Sequence, residues 1–328
     1  MKRLIIICFS AFIFSGCQST FLSQKDASNE KHQISSSIPV RADTLYHYQI
    51  ISPDGLPISL IDMADGVKDK DVVLVGEWHT HPAVHLFQAQ LMAALADRNP
   101  KLVLSMEQFS RPDQTVIDRY LEGEIGEQAL LSQTAAWPNY RSDYRPLVDI
   151  ARQRGLTVLA ANTTKTIVRC LAEHGPDIIK KMPAEQQKYV ARELDTTDGP
   201  YKAKFLARMG GDQSDALEGL YAAQVAWDET MAETITEHLT FHPGSQIMHV
   251  AGSFHVEGGL GIASRILRRD ATLTTALIVP SSVLNPVSGD AKSYRLLISP
   301  LPERVVSGEE NLSSGASSHT RLPERCPY

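Results

Sequence analysis

Asp71-Val-Val-Leu-Val-Gly-Glu-Trp-His79 decides how this chain folds. Four consecutive apolar residues, three of them valine, read as a short strand buried on both faces. The run then stops at an acid, Glu77, and an imidazole, His79. Three further runs end in the same way. Leu102-Val-Leu-Ser-Met106 ends at Glu107, Leu156 to Ala161 ends at Asn162, and Ile247 to Phe254 ends at His255. Helical patterns separate them: Pro82 to Ala96, Pro112 to Leu121, Tyr144 to Arg154 with a stop at Gly155, residues 214 to 240, and Gly259 to Arg269. Residues 273 to 279 read as another strand, and Tyr294 to Ile298 as a last one pairing antiparallel at the edge. This alternation predicts an α/β fold, a mostly parallel sheet with helices on both faces. Residues 163 to 212 are polar, helix-prone and interrupted, and read as an inserted helical cap. In an open α/β sheet, ligands bind outside the carboxyl ends of the strands. The acids, amide and imidazoles at those ends therefore predict a site.

The amino terminus carries an export signal. Lys2 and Arg3 precede an apolar stretch from Leu4 to Phe14, too short to cross a hydrocarbon core of about 30 Å as a helix. Ser15 and Gly16 then lead into Cys17. This is similar to a bacterial lipoprotein signal, with residues 1–16 removed and Cys17 lipidated. No Asp follows Cys17, which by resemblance to sorted lipoproteins predicts an outer-membrane, lipid-anchored protein facing the periplasm or the surface. Plain secretion is the alternative. Residues 17–42, rich in Ser, Gln, Asn and Lys, read as a flexible tether, 43–300 as the folded domain, and 301–328 as a disordered tail. The formal charge is −6, and −8 without Lys2 and Arg3; with no long basic stripe, nucleic acid is excluded as a partner. Of the four cysteines, Cys170 and Cys326 remain in the mature body; an oxidising compartment permits their pairing, and spacing alone leaves it open.

The densest chemistry lies in Gly76-Glu-Trp-His-Thr-His-Pro-Ala-Val-His85. Glu77 and His79 leave a buried strand, where charge is costly unless paired or used. His81 and His85 are four apart, the spacing of a two-histidine metal pair if both lie on the helix. A divalent metal held by His79 and His85 is thus an expectation, although the HExxH pattern is absent. Glu107 has Arg111 four residues on, and an ion pair is the plainer reading of both. On the long helix, Leu217, Tyr221, Gln224, Asp228, Met231 and Ile235 fall on one stripe, so Gln224 and Asp228 are expected to be buried and to need partners. Glu77, His79, Glu107, Asp228 and His255 are expected to form one catalytic or relic cluster.

These residues, taken in order, carry a resemblance. Gly76-Glu-Trp-His79 with His85, Glu107-Gln-Phe, Tyr144-Arg-Pro-Leu, Ala160-Ala-Asn162, Ala223-Gln-Val-Ala-Trp-Asp-Glu-Thr-Met-Ala232 and Ala251-Gly-Ser-Phe-His255 occur as an ordered set. The chain resembles the ChaN family of iron-regulated, haem-binding lipoproteins, over roughly residues 45 to 285. That family sits in a larger group with erythromycin esterase and Tiki/TraB-type proteins. The resemblance implies haem as cofactor and a homodimer holding two haems face to face, each iron bound by a tyrosine and assisted by a histidine of the partner subunit. It also implies service to the outer-membrane haem or iron uptake machinery. Tyrosinate is a hard oxygen donor suited to ferric haem. The cap offers Tyr189, Tyr201, Phe205 and Met209 interleaved with Lys202, Lys204 and Arg208. Tyr201 is the first expected axial ligand and Tyr189 the second, with Phe205 against the ring and Arg208 for the propionates. Related chains often carry a histidine in this cap, where this one reads Ala207-Arg-Met-Gly-Gly211.

Two function classes follow. One is a haem-binding lipoprotein without turnover. The other is a hydrolase with Glu77 as general base and His255 moving protons or stabilising charge. No Gly-x-Ser-x-Gly elbow is present, which argues against a serine triad.

Overall fold

The computed structural model describes residues 44–211, 214–283, 292–303 and 325–328 of the 328-residue chain. The signal, tether and most of the tail read from sequence lie outside the described residues. Strands are β1 (Tyr48–Ile51), β2 (Pro57–Ile58), β3 (Val72–Glu77), β4 (Leu102–Ser110), β5 (Thr157–Asn162), β6 (Gln246–Gly252), β7 (Thr275–Ser281) and β8 (Tyr294–Ile298). The helices are α1 (Leu60–Val67), α2 (Pro82–Ala96), α3 (Gln114–Leu121), α4 (Glu127–Gln133), α5 (Arg145–Arg154), α6 (Lys165–His174), α7 (Ala184–Gln187), α8 (Pro200–Met209), α9 (Asp215–Phe241), α10 (Ser253–Val256) and α11 (Ile262–Arg269).

One eight-stranded sheet runs in the order β2-β1-β8-β7-β3-β6-β4-β5. The six strands from β8 to β5 are parallel, and β1 and β2 add antiparallel at one end. This corrects the expectation for Tyr294–Ile298. β8 runs parallel to β7 and is an interior strand, because the unforeseen β1–β2 hairpin covers its outer side.

The pleat sorts the core. Val73, Val75, Leu104, Met106, Met248 and Val250 point to the face covered by α2 and α5. Their neighbours Val72, Leu74, Val103, Ile247 and Ala251 point to the face covered by α9 and α11. Period-two alternation makes consecutive residues serve opposite layers, so near-continuous apolar runs are required. Each fully buried Val, Leu or Met contributes roughly 1.5–3 kcal/mol of transfer free energy. Pro82 at the first turn of α2 and the Nδ1 of His81, which accepts from Ala83 N at 3.2 Å, fix where that helix starts.

Helix α9 is buried on more than one side, since α6 of the cap packs on it while it covers the sheet. That explains its run of alanines and the buried polar residues Asp228, Glu229 and Thr230. The cap is helical, as the sequence predicts, with α6, α7 and α8 in the 163–212 stretch. Cys170 of α6 is joined by a disulfide to Cys326, 156 residues on.

Topology creates a crevice between β3 and β6. Helix α2, leaving β3, covers one face, while α9 and α11, flanking β6, cover the other. Chains diverging to opposite faces from neighbouring parallel strands open a cleft at their carboxyl ends. Glu77, the last residue of β3, is in register with Gly252, the last of β6.

Candidate active site

Glu77 shares the pleat of Val73 and Val75 and turns toward α2. Its carboxylate is buried and takes four hydrogen bonds. Oε1 accepts from His79 Nδ1 at 2.8 Å, Tyr144 Oη at 2.7 Å and Gln108 Nε2 at 3.1 Å; Oε2 accepts from Gln88 Nε2 at 2.7 Å. Burial pushes its pKa up, but the hydrogen bond and charge of His79, the nearby His85 and the bond from Gln88 more than reverse this, bringing it down to about 2. Burial likewise opposes charge on His79, and the bond to Glu77 with the field of Glu107 overrides it, raising the imidazole to about 9. His79 is therefore an imidazolium at neutral pH, half-exposed and edge-on to Trp137 at 4.9 Å.

Glu107 shares the pleat of Val103 and Ser105 and turns the opposite way, toward α9. It lies inside β4, which continues four residues beyond Met106 to Ser110. Its Oε2 accepts from Gly252 N at 2.6 Å, and its Oε1 is 3.7 Å from His255 Nε2. β6 stops at Gly252, so His255 sits in the short helix α10 and not at a strand end. Its Nδ1 donates to Asp228 Oδ1 at 2.9 Å. Burial disfavours charge on His255, but Asp228 and Glu107 outweigh it and raise the pKa. The other oxygen of Asp228 accepts from the Tyr201 hydroxyl, which itself accepts from Gln224 Nε2 at 3.1 Å.

The two halves meet at Gly252. A Cβ built there would lie 2.9 Å from His79 Nε2 and Cε1 and 3.6 Å from His255 Cδ2. Only glycine lets both imidazoles close on this strand end. The arrangement is two carboxylate–imidazole pairs, Glu77–His79 and Asp228–His255, facing Glu107 from opposite layers. It sets two imidazoles beside one carboxylate at the strand ends, a frame for proton transfer.

Several expectations need correcting. His81 and His85 are not a metal pair: His81 is the buried N-cap of α2, with Nε2 donating to Ser299 O at 2.8 Å. His85 faces Gln88 Oε1 and the His79 backbone oxygen, each at 2.9 Å, so His79 and His85 do not converge on a common point. Among the described residues, no group of three or more His, Cys, Asp or Glu is placed to hold a metal ion. Arg111 pairs with Glu233 at 3.1 Å and not with Glu107, because it follows the strand's turn toward α9. Glu77 is an unsuitable general base, since its four acceptor positions are filled.

The cap and the strand-end cluster touch. Tyr201 is buried behind Phe254, at 5.7 Å between ring centroids, with the Arg265 guanidinium 4.5 Å over its ring. Burial and the Asp228 charge hold it firmly in the phenol form. Phe205 packs on Tyr221 at 5.4 Å, whereas Tyr189 is half-buried against a different apolar cluster. Outside this layer, a groove of about 670 Å³ is lined by Trp78, Lys204, Arg208, Phe254 and Pro280 among others. Lys204 spends its protons on Phe254 O, Glu257 O and Glu257 Oε2. Arg208, on the exposed end of α8, lines the rim.

Sequence reasoning missed Gln88 and Arg265 altogether and gave Gln108 and Tyr144 no role. Gln88 interrupts the apolar stripe of α2, a legible sign of a buried amide needing a partner. Tyr144 ends a π-turn, Tyr140–Tyr144, which aims its hydroxyl at Glu77; irregular turns of this kind are frequent at functional sites.

An open sheet with a buried acid–histidine cluster at its carboxyl edge, under a helical cap, defines an α/β protein whose polar cluster lies where such sheets bind ligands. Residues 63–266 match the model of the family described as haem-binding uptake, Tiki superfamily, ChaN. With more than half its length matched, the chain belongs to that haem-binding family. Among solved structures it is similar to ChaN of Campylobacter jejuni, described with cofacial haem binding, at TM-score 0.61 and 18% identity, covering 77% of this chain and 97% of that one. A mutant of the erythromycin esterase EreC in its open conformation aligns at TM-score 0.44 and 14% identity, covering 77% and 83%. Comparison with curated protein sequences finds no match.

Proposed function

We propose that this chain is an exported, lipid-anchored protein that binds ferric haem for haem or iron acquisition, with two copies meeting around the haem. The observation that carries the reading is the groove beside the cap. Trp78, Phe254 and Pro280 give apolar walls suited to a porphyrin face, and the Arg208 guanidinium suits a propionate. The residues fit the group's body and its charge. Tyr201 is the first candidate for its axial donor, with a hydroxyl held by Asp228. Tyr189 is the second. Haem, when bound, would supply a ferric centre that favours a tyrosinate oxygen. Export is supported by the Cys170–Cys326 disulfide, a bond that persists in oxidising compartments.

Hemin titration of the purified mature chain tests this. A saturable tyrosinate-type ferric spectrum at one haem per chain is expected, lost in Tyr201→Phe and weakened in Arg208→Glu. Loss in Tyr189→Phe alone moves the ligand to Tyr189. No saturable binding by the wild type overturns the reading.

A second reading, acid–base hydrolysis at the strand ends, is favoured by one observation. The carboxylate–imidazole pairs Glu77–His79 and Asp228–His255 flank Glu107. A haem held only in the groove makes no use of them.

A further inference from the structure

The groove and the first candidate ligand are one layer apart. Tyr201 keeps only 6% exposure and is not among the described residues that line the groove. Phe254 belongs to both. Its ring lines the groove, and it packs on the Tyr201 ring at 5.7 Å between centroids.

Lys204 holds that ring in place. Its ammonium lies 4.5 Å from the Phe254 ring centroid and donates to Phe254 O and Glu257 O, each at 3.0 Å. The Glu257 carboxylate is 3.3 Å away. Lys204 follows Tyr201 by three residues on α8. One side chain therefore fastens the helix that carries the phenol to the short helix that carries Phe254. Both fastened pieces run into glycines of positive φ. Gly210 and Gly211 end α8 at +100° and +87°, and Gly258 and Gly259 follow α10 at +73° and +69°. Such positions turn at little steric cost, as element-terminal hinges do. Lys204 and Phe254 are both partly exposed, so water can take over the polar contacts when they part.

We infer that Phe254 is a gate between the groove and Tyr201, and that Lys204 is its latch. The inference rests on the haem reading with Tyr201 as ligand, and it assigns the step that admits a porphyrin to a phenol the groove does not expose. With the latch closed, the ring covers Tyr201. The aromatic pair, the cation over the ring and the two charge-assisted hydrogen bonds all favour this closed form. A ligand that needs the open form binds with an apparent affinity reduced by the fraction that is open. Loss of the latch therefore speeds entry and does not weaken binding.

The test is stopped-flow mixing of the mature chain with hemin, followed by the ferric spectrum, with transfer to apo-myoglobin giving koff. A wall residue alters koff alone, whereas a gate alters kon as well. Phe254→Ala should raise kon about tenfold, and Phe254→Leu, which keeps apolar packing, should raise it less. Lys204→Met should raise kon too. Simple attraction of Lys204 for the anionic propionates predicts the opposite sign, slower association. A kon within about twofold of wild type in both Phe254 variants, with only koff raised, makes Phe254 a wall and overturns the gate. Slower association by Lys204→Met overturns the latch. Either result spares haem binding. No saturable binding by the wild type, or a wild-type ferric spectrum in Tyr201→Phe, defeats the reading beneath the gate, and the gate with it.

Discussion

Glu77→Gln isolates what the buried carboxylate does for the fold. The substitution keeps size and removes one charge. Gln has a single acceptor oxygen, whereas Glu77 serves donors on both oxygens. Either orientation of the new amide sets its NH₂ group against a donor, Gln88 Nε2 on one side or Tyr144, Gln108 and His79 on the other. The depression of the Glu77 pKa from 4.5 to about 2 corresponds to about 3 kcal/mol of folding stability. Breaking a buried pair by removing one partner costs about 3–5 kcal/mol. Half-exposure of His79 argues for the lower end, so about 3 kcal/mol is expected near pH 6, with Tm falling about 5–10 °C. The sign follows from the two shifts. A depressed acid stabilises above its unfolded value and loses that contribution as pH falls from 4.5 toward 2. A raised histidine stabilises fully below 6.5 and loses it as pH rises through about 9. The wild-type advantage should therefore peak between roughly pH 4.5 and 6.5 and shrink on both sides. Urea unfolding of both proteins from pH 4 to 10 measures it. A difference below about 1 kcal/mol at pH 6, or one that does not vary with pH, would refute the reasoning.

The remaining predictions are simpler. Cys170→Ala opens a 156-residue loop and should cost about 2–5 kcal/mol, with wild type matching it only after reduction; equal melting of the oxidised wild type and the variant would show that the two sulfurs do not pair. Cys17→Ser should leave the mature chain in the soluble fraction or unprocessed, and continued partition with salt-washed membranes would remove the anchor from the proposal.

Legibility in the sequence followed physical range. The parallel strands were readable because burial on both faces demands unbroken apolar runs, and α2 was readable from Pro82 to Ala96 because its period and its proline are local signals. β1 and β2 were not, because four- and two-residue strands at an edge carry no such run. The buried stripe through Gln224 and Asp228 was visible in the α9 period, but the partners of Asp228 were not. Tyr201 lies 27 residues earlier and His255 27 residues later, and only the packing of α8 and α10 against α9 brings them together. The metal expectation failed for a related reason. Spacing of four implies a shared helix face only when both residues are in the helix, and Pro82 starts the helix after His81.

Parity explains why one fold presents two acids of different chemistry at one sheet edge. Glu77 and Glu107 lie on neighbouring sides of β6, one residue past comparable apolar runs, and the pleat sends them to opposite layers. The layer above Glu77 is a helix whose stripe includes Gln88, together with the Tyr144 turn, so every lone pair finds a donor and the charge is fixed. The layer above Glu107 is α9, which offers Asp228 and no donor of its own to the Glu107 carboxylate. The missing partner is supplied in part by Gly252 N, and the second oxygen is left over. A one-residue slip of β4 would exchange the faces and place Gln108 beside Asp228, filling the centre with a neutral amide. Register therefore sets which acid is saturated with donors and which accepts from a backbone N–H through one oxygen alone, and it does so before any ligand enters.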